Sequence, residues 1–160
     1  MGTECKLDQV DLKILSRLQG DGRLPNNQLA EAVGLSASPC LQRVRRLEKH
    51  GVIARYMAML ALDKLCRHVD VLAAVTLRNH APEDFAQFEA ATREMPEIVA
   101  CHKVSGMVDY FLRFVCPSLE VYHARSDRLL KEGPGVAHIS SHVVLDRVKR
   151  FDGYPLETLL

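Results

Sequence analysis

Between Gly34 and Ile53 the chain reads GLSASPCLQRVRRLEKHGVI, and its polar residues are spaced to meet a long anionic partner. On a helix of about 3.6 residues per turn, Ser38, Gln42, Arg45 and Lys49 share one face, with Arg46 beside them. Hydroxyl and amide groups come first along that face and positive charge follows. A helix laid in the major groove of duplex DNA uses this order: short polar side chains near its N-terminus reach base edges, and arginines reach phosphates. Arg43, Arg45, Arg46 and Lys49 stand against a single acid, Glu48. The cluster is therefore one-signed, unlike the alternating charges of an ordinary solvated face.

The surrounding residues supply a helix to carry that face. Gly34 can close a preceding helix in the left-handed conformation. Ser36 is a candidate N-cap, and Pro39 falls in a first turn, where its missing N–H is tolerated. Cys40, Val44 and Leu47, with Leu41 beside them, form the apolar stripe opposite the polar one. Gly51 ends the helix, and Lys49 and His50 suit its C-terminal dipole. Upstream, Asp8 opens a first helix with Asp11 as its capping partner, and Val10, Ile14, Leu15 and Leu18 form its buried stripe. Gly20-Asp21-Gly22 breaks that helix. Asn26 is a candidate cap for a second, whose Leu29, Ala30 and Val33 face inward. Two short helices joined at a glycine turn make a helix-turn-helix. The loosely alternating Val52–Leu60 stretch is expected to form a small hairpin or wing.

From Val69 the periodicity changes. Strands are expected at Val69–Arg78, Ile98–Val104, Tyr110–Cys116 and Val136–Val148, the second and third joined through Ser105-Gly106. A helix follows Ala81-Pro82, with Phe85, Phe88, Ala91 and Met95 inward. Another follows Pro117-Ser118, with Leu119, Tyr122, Leu129 and Leu130 inward, and Gly133-Pro134-Gly135 stops it. The order βαββαβ is ferredoxin-like. The fold class is thus α+β: an N-terminal helix-turn-helix (winged-helix-like) domain over residues 1–60, a linker over 61–68, a ferredoxin-like domain over 69–150 and a tail over 151–160. A four-stranded sheet with helices on one face leaves its other face bare, and the apolar content predicts that a homodimer buries it. Phe151, Tyr154, Leu156, Leu159 and Leu160 suggest that the tail docks.

With 160 residues, 48% apolar, the chain can bury a core. The net charge of +1 excludes a polycation, but the charge is uneven: residues 1–56 carry a net +3 and the remainder a net −2. A basic head and a mildly acidic body suit nucleic-acid contact at one end only. No apolar run approaches the roughly 20 residues of a membrane span, and no signal-peptide core is present. Five scattered cysteines without a CxxC fit a reducing, cytoplasmic setting.

Other reactive residues carry little. Cys101-His102 is half a metal site without a second half. His138 and His142 would lie about 13 Å apart along a strand, too far to share an ion. Cys40 reads as a small buried hydrophobe. Ser118, Ser126 and Ser140 lack a nucleophile motif. No metal, cofactor or catalytic residue is expected.

LDQVDLKILSRLQGDGR, LAEAVGLSASPCLQRVRRLEKHGVI and VSGMVDYFLRF, in that order and spacing, resemble the leucine-responsive regulator (Lrp)/AsnC family of transcription factors over nearly the whole chain. The resemblance implies a sequence-specific, nucleoid-associated DNA-binding regulator. It implies homodimers that assemble further, often to octamers, and an amino acid or related small molecule bound between dimers. It places the helix-turn-helix at about Asn26–Arg45 and makes Asn26, Ser36, Ser38, Pro39, Gln42, Arg43, Arg45, Arg46 and Lys49 the contacts to double-stranded DNA. The family's effector loop, G-D-x-D, corresponds to Ser105, Gly106, Met107, Val108 and Asp109. Gly106 and Asp109 match, and Met107 replaces the first acid, which points either to a more hydrophobic ligand than the usual amino acid or to a degenerate loop that holds no effector. The competing expectation is an architectural protein that coats DNA with little sequence preference.

Overall fold

Two separate apolar clusters organise this computed structural model, which describes residues 6–131 and 135–160. Cys5 and the Gly133-Pro134 stop lie outside the described residues. The chain divides accordingly into two units. One comprises the residues up to Met59 together with Lys149–Leu160; the other spans Leu60–Val148.

The first unit holds α1 (Gln9–Gly20), α2 (Asn26–Val33), α3 (Ala37–Lys49) and a short α6 (Leu156–Leu159). Asp8 and Asp11 form the expected reciprocal cap: each carboxylate accepts from the other's backbone N–H, at 2.8 and 3.1 Å. Gly34, at φ +74°, closes α2, and Leu35 N–H turns back to the Ala30 carbonyl at 2.9 Å. Ile14, Leu29, Ala30, Val33, Cys40, Val44 and Leu47 make the core, as their spacing predicts. Gln19 brackets the Tyr154 backbone, accepting from its N–H (2.6 Å) and donating to its carbonyl (3.2 Å).

Three local expectations are corrected. Asn26 does not cap α2; Pro25 holds that position, and the Asn26 amide instead donates to the Ala37 carbonyl at 2.8 Å. Ser36 occupies the N-cap of α3, but its hydroxyl makes no capping bond. Val52–Leu60 contains no strand and hence no hairpin wing. Within it the Tyr56 hydroxyl donates to Glu48 at 2.9 Å, and a Cβ on Gly22 would stand 3.2 Å from the Tyr56 ring. An isolated two-stranded ribbon is marginal in water, and this segment packs through Tyr56 instead.

In the second unit β1 (Val69–Leu77), α4 (Pro82–Arg93), β2 (Ile98–Lys103), β3 (Tyr110–Cys116), α5 (Leu119–Lys131) and β4 (Val136–Val143) follow the βαββαβ order. The sheet is antiparallel throughout, with strand order β2-β3-β1-β4. Alternate residues Val71, Ala73, Val75 and Leu77 of β1 and Tyr110, Leu112, Phe114 and Cys116 of β3 pack with Phe88, Tyr122 and Leu129 from the helices. Two details differ from expectation. Leu119 lies exposed at the head of α5, and Ser126 takes an inward place, its hydroxyl donating to the His123 carbonyl. β4 ends at Val143, beyond which Leu145 and Val148 are almost fully exposed.

Candidate nucleic-acid interface and effector loop

Helix α3 sorts its residues by angle. Cys40, Val44 and Leu47 are buried, and burial pushes the Cys40 thiol pKa up, consistent with a packing role. Ser38, Gln42, Arg45 and Lys49 are exposed on the opposite side. Among the described residues none of these four side chains has a hydrogen-bond or ion-pair partner. Pro39, Arg43 and Arg46 lie on the flank between the two faces and line a shallow notch with Gln42.

The flank differs from the outward face in having fixed partners. Arg43 Nη1 reaches Asp8 Oδ2 at 2.7 Å and Asp11 Oδ1 at 2.9 Å, and Arg46 Nη2 pairs with Asp11 Oδ2. Asp11 is wholly buried. A buried carboxylate needs such partners, and once paired it ties α1 to α3 across 32 and 35 residues of sequence. The backbone N–H of Asp11 and then the Arg43 guanidinium hold the Asp8 carboxyl down to about 2. Sequence pattern alone did not reveal these pairings.

The expected effector residues Ser105, Gly106, Met107, Val108 and Asp109 form the loop between β2 and β3. Gly106 has φ +124°, a conformation open to glycine, and Met107 is 98% exposed at the tip. Asp109 is an anchor. Its Oδ2 accepts from Leu77 N–H at 2.8 Å, where a register shift interrupts the β1–β4 ladder, and His80 Nε2 lies 3.0 Å from its Oδ1. Beside the loop His80 and Tyr110 pack on Phe85, and Lys103 Nζ sits 3.3 Å above the Phe85 ring. Cys101 and His102 are consecutive in β2 and so point to opposite sheet faces. Among the described residues no group of three or more His, Cys, Asp or Glu is arranged to hold a metal ion.

The sheet face away from α4 and α5 is set out by the registry. Phe111 pairs with Ala74 and Arg113 with Leu72 across β3 and β1. Leu72 and Phe111 are 45% and 46% exposed. Beyond Leu72 on β1, on the side away from Phe111, Asp70 is nearly buried and receives a bidentate Arg113 (3.0 and 2.7 Å) and Arg147.

Residues 7–54 match the family description of a winged helix-turn-helix DNA-binding domain, and residues 70–154 match that of the Lrp/AsnC ligand-binding domain. The chain belongs to the Lrp/AsnC family. It is a DNA-binding transcriptional regulator. The transcriptional regulatory protein DoeX of Halomonas elongata is 43% identical over 91% of this chain and 92% of its own. The leucine-responsive regulatory protein of Salmonella typhimurium is 41% identical over 95% of this chain and 93% of its own. Among solved structures, the Neisseria meningitidis transcriptional regulator crystallised with L-Met superposes with a TM-score of 0.88 at 35% identity, covering 97% of this Lrp/AsnC chain and all of that one. No helix among the described residues is long and apolar enough to cross a membrane.

Proposed function

We propose that this Lrp/AsnC regulator reads DNA with the outward face of α3 and responds to a hydrophobic amino acid at the Ser105–Asp109 loop. Ser38 and Gln42, early in α3, meet base edges; Arg45 and Lys49 meet phosphates, and Ser36 and Pro39 shape the approach. The observation that carries this reading is the unpartnered stripe Ser38–Gln42–Arg45–Lys49, exposed on a helix whose other charged side chains are held by Asp8, Asp11 and Tyr56.

At the loop, Asp109 presents a carboxylate to the ligand's ammonium group, and Met107 and Val108 present apolar surface to its side chain. The leucine-responsive name of one relative and the L-Met bound to another support an amino acid. The sheet face carrying Leu72, Phe111 and the Asp70–Arg113–Arg147 cluster is the homodimer surface, and dimers assemble further, to octamers. Two heads then engage successive major grooves, and a ligand that changes dimer association changes DNA affinity without undergoing chemistry. The site of action is the cytoplasmic nucleoid.

The test is an anisotropy titration on the DNA upstream of the protein's own coding region, at fixed salt, with and without single amino acids. Binding tighter than to scrambled DNA, shifted by a hydrophobic amino acid, supports the reading. Binding equal to scrambled DNA supports low-specificity coating instead.

A further inference from the structure

The flank of α3 holds two arginines that would enlarge the basic surface if they were free. Arg43 and Arg46 lie three residues apart on one side of the helix, where like charges repel. Both are met by α1: Asp11 takes one nitrogen from each, Asp8 takes Arg43 again, and two acids compensate two bases. Asp11 is wholly buried and its carboxylate also accepts from Asp8 N–H, so its place is fixed by the helix cap. Arg46 Nε is itself buried without a partner, which marks a guanidinium pulled inward toward Asp11. Both arginines border the notch beside Gln42, one side chain from the face assigned to the bases.

We infer that Asp11 is a specificity-determining residue: it latches Arg43 and Arg46 away from the phosphates, so that attraction to any DNA rests on Arg45 and Lys49 while Ser38 and Gln42 select sequence. The inference rests on α3 being the groove-facing helix. Phosphate contacts bind every sequence alike, so two additional ones would raise background binding more than operator binding and erode discrimination.

The test uses the full chain, a duplex selected from a random pool by the wild-type protein, and a scrambled duplex, titrated from 50 to 200 mM salt. Asp11→Asn keeps the shape, releases Arg46 and leaves Arg43 with Asp8 alone. The plot of log affinity against log salt should then steepen by about 1 to 2 per engaged head, at roughly 0.9 per phosphate. Affinity for the scrambled duplex at 50 mM should rise several-fold and the selected-to-scrambled ratio should fall. A merely structural role predicts weaker binding to both duplexes with no steepening, which overturns the inference. The triple variant D11N/R43Q/R46Q removes acid and bases together and decides even if D11N does not fold. A slope equal to wild type upholds the latch, and a slope shallower by about 1 to 2 shows that the arginines reach phosphates and overturns it. Arg45→Ala separates the two readings: if its slope is unchanged, the assignment of α3 fails, independently of Asp11.

Discussion

Asn26, in the first turn of α2, donates its side-chain amide to the backbone carbonyl of Ala37 at the head of α3, 2.8 Å away. That bond pins the two helices of the helix-turn-helix to each other at their N-terminal ends. The other Asn26 side-chain atom, Oδ1, is buried without a partner. Asn26→Ala should therefore destabilise the head by ~1 kcal/mol, the net worth of one hydrogen bond. Asn26→Asp should cost more, ~2 kcal/mol, because it sets a charged oxygen against a carbonyl and buries it. Urea unfolding of both variants gives the order directly.

Gly34 presents a purely backbone question. Its φ is +74°, and a Cβ added there would meet nothing within 4 Å. Gly34→Ala should cost about 1 kcal/mol through conformational strain alone, and Gly34→Asn less, since asparagine tolerates the left-handed region. Thermal unfolding followed by circular dichroism checks both.

Local signals carried most of the architecture. Reciprocal acids three apart marked the start of α1, and the 3.6-residue period of Cys40, Val44 and Leu47 fixed the buried side of α3. Alternation and turn residues gave βαββαβ. What escaped the sequence was decided by partners far along the chain. Nothing near Asn26 says that its amide is claimed by Ala37 rather than by its own helix. Nothing in the arginine cluster says that Asp11 holds Arg43 and Arg46, so all four cations of α3 were expected to contact DNA. Val52–Leu60 alternates like a strand but has no strand beside it, and Tyr56 takes it elsewhere. At the loop, Asp109 was legible as the matching acid of the effector motif, but its bond to Leu77 N–H depends on a ladder irregularity with no sequence signature.

Acid should loosen the head through Asp8. Its carboxyl pKa is held to about 2 in the folded chain, below the ordinary 3.8, by the Asp11 N–H and then by Arg43. A depressed carboxylate contributes stability that is fully present above the unfolded value and lost as pH falls through the folded one. The stability difference between wild type and Asp8→Asn should accordingly be constant above about pH 5 and vanish between about pH 4 and 2. Denaturant unfolding of both proteins across that range measures it.

The uncovered sheet face predicts an assembly defect. Phe111→Asp and Leu72→Asp place charge on a surface that the fold itself leaves half exposed, so the unit should still fold. Dimerisation should be lost, because an unpaired charge would be buried at the interface. Sedimentation velocity should show a monomer for either variant, with the circular-dichroism spectrum unchanged.

If the outward face of α3 reads sequence, Gln42 is a side chain through which it does so. The measurement is the ratio of affinities for a duplex selected by the wild-type protein and a set carrying single base-pair changes, compared between wild type and Gln42→Ala at one salt concentration. Gln42→Ala should lose discrimination at one base pair per half-site, worth about 1–3 kcal/mol, and keep it elsewhere. An unchanged discrimination profile, or a uniform loss at every position, would contradict it.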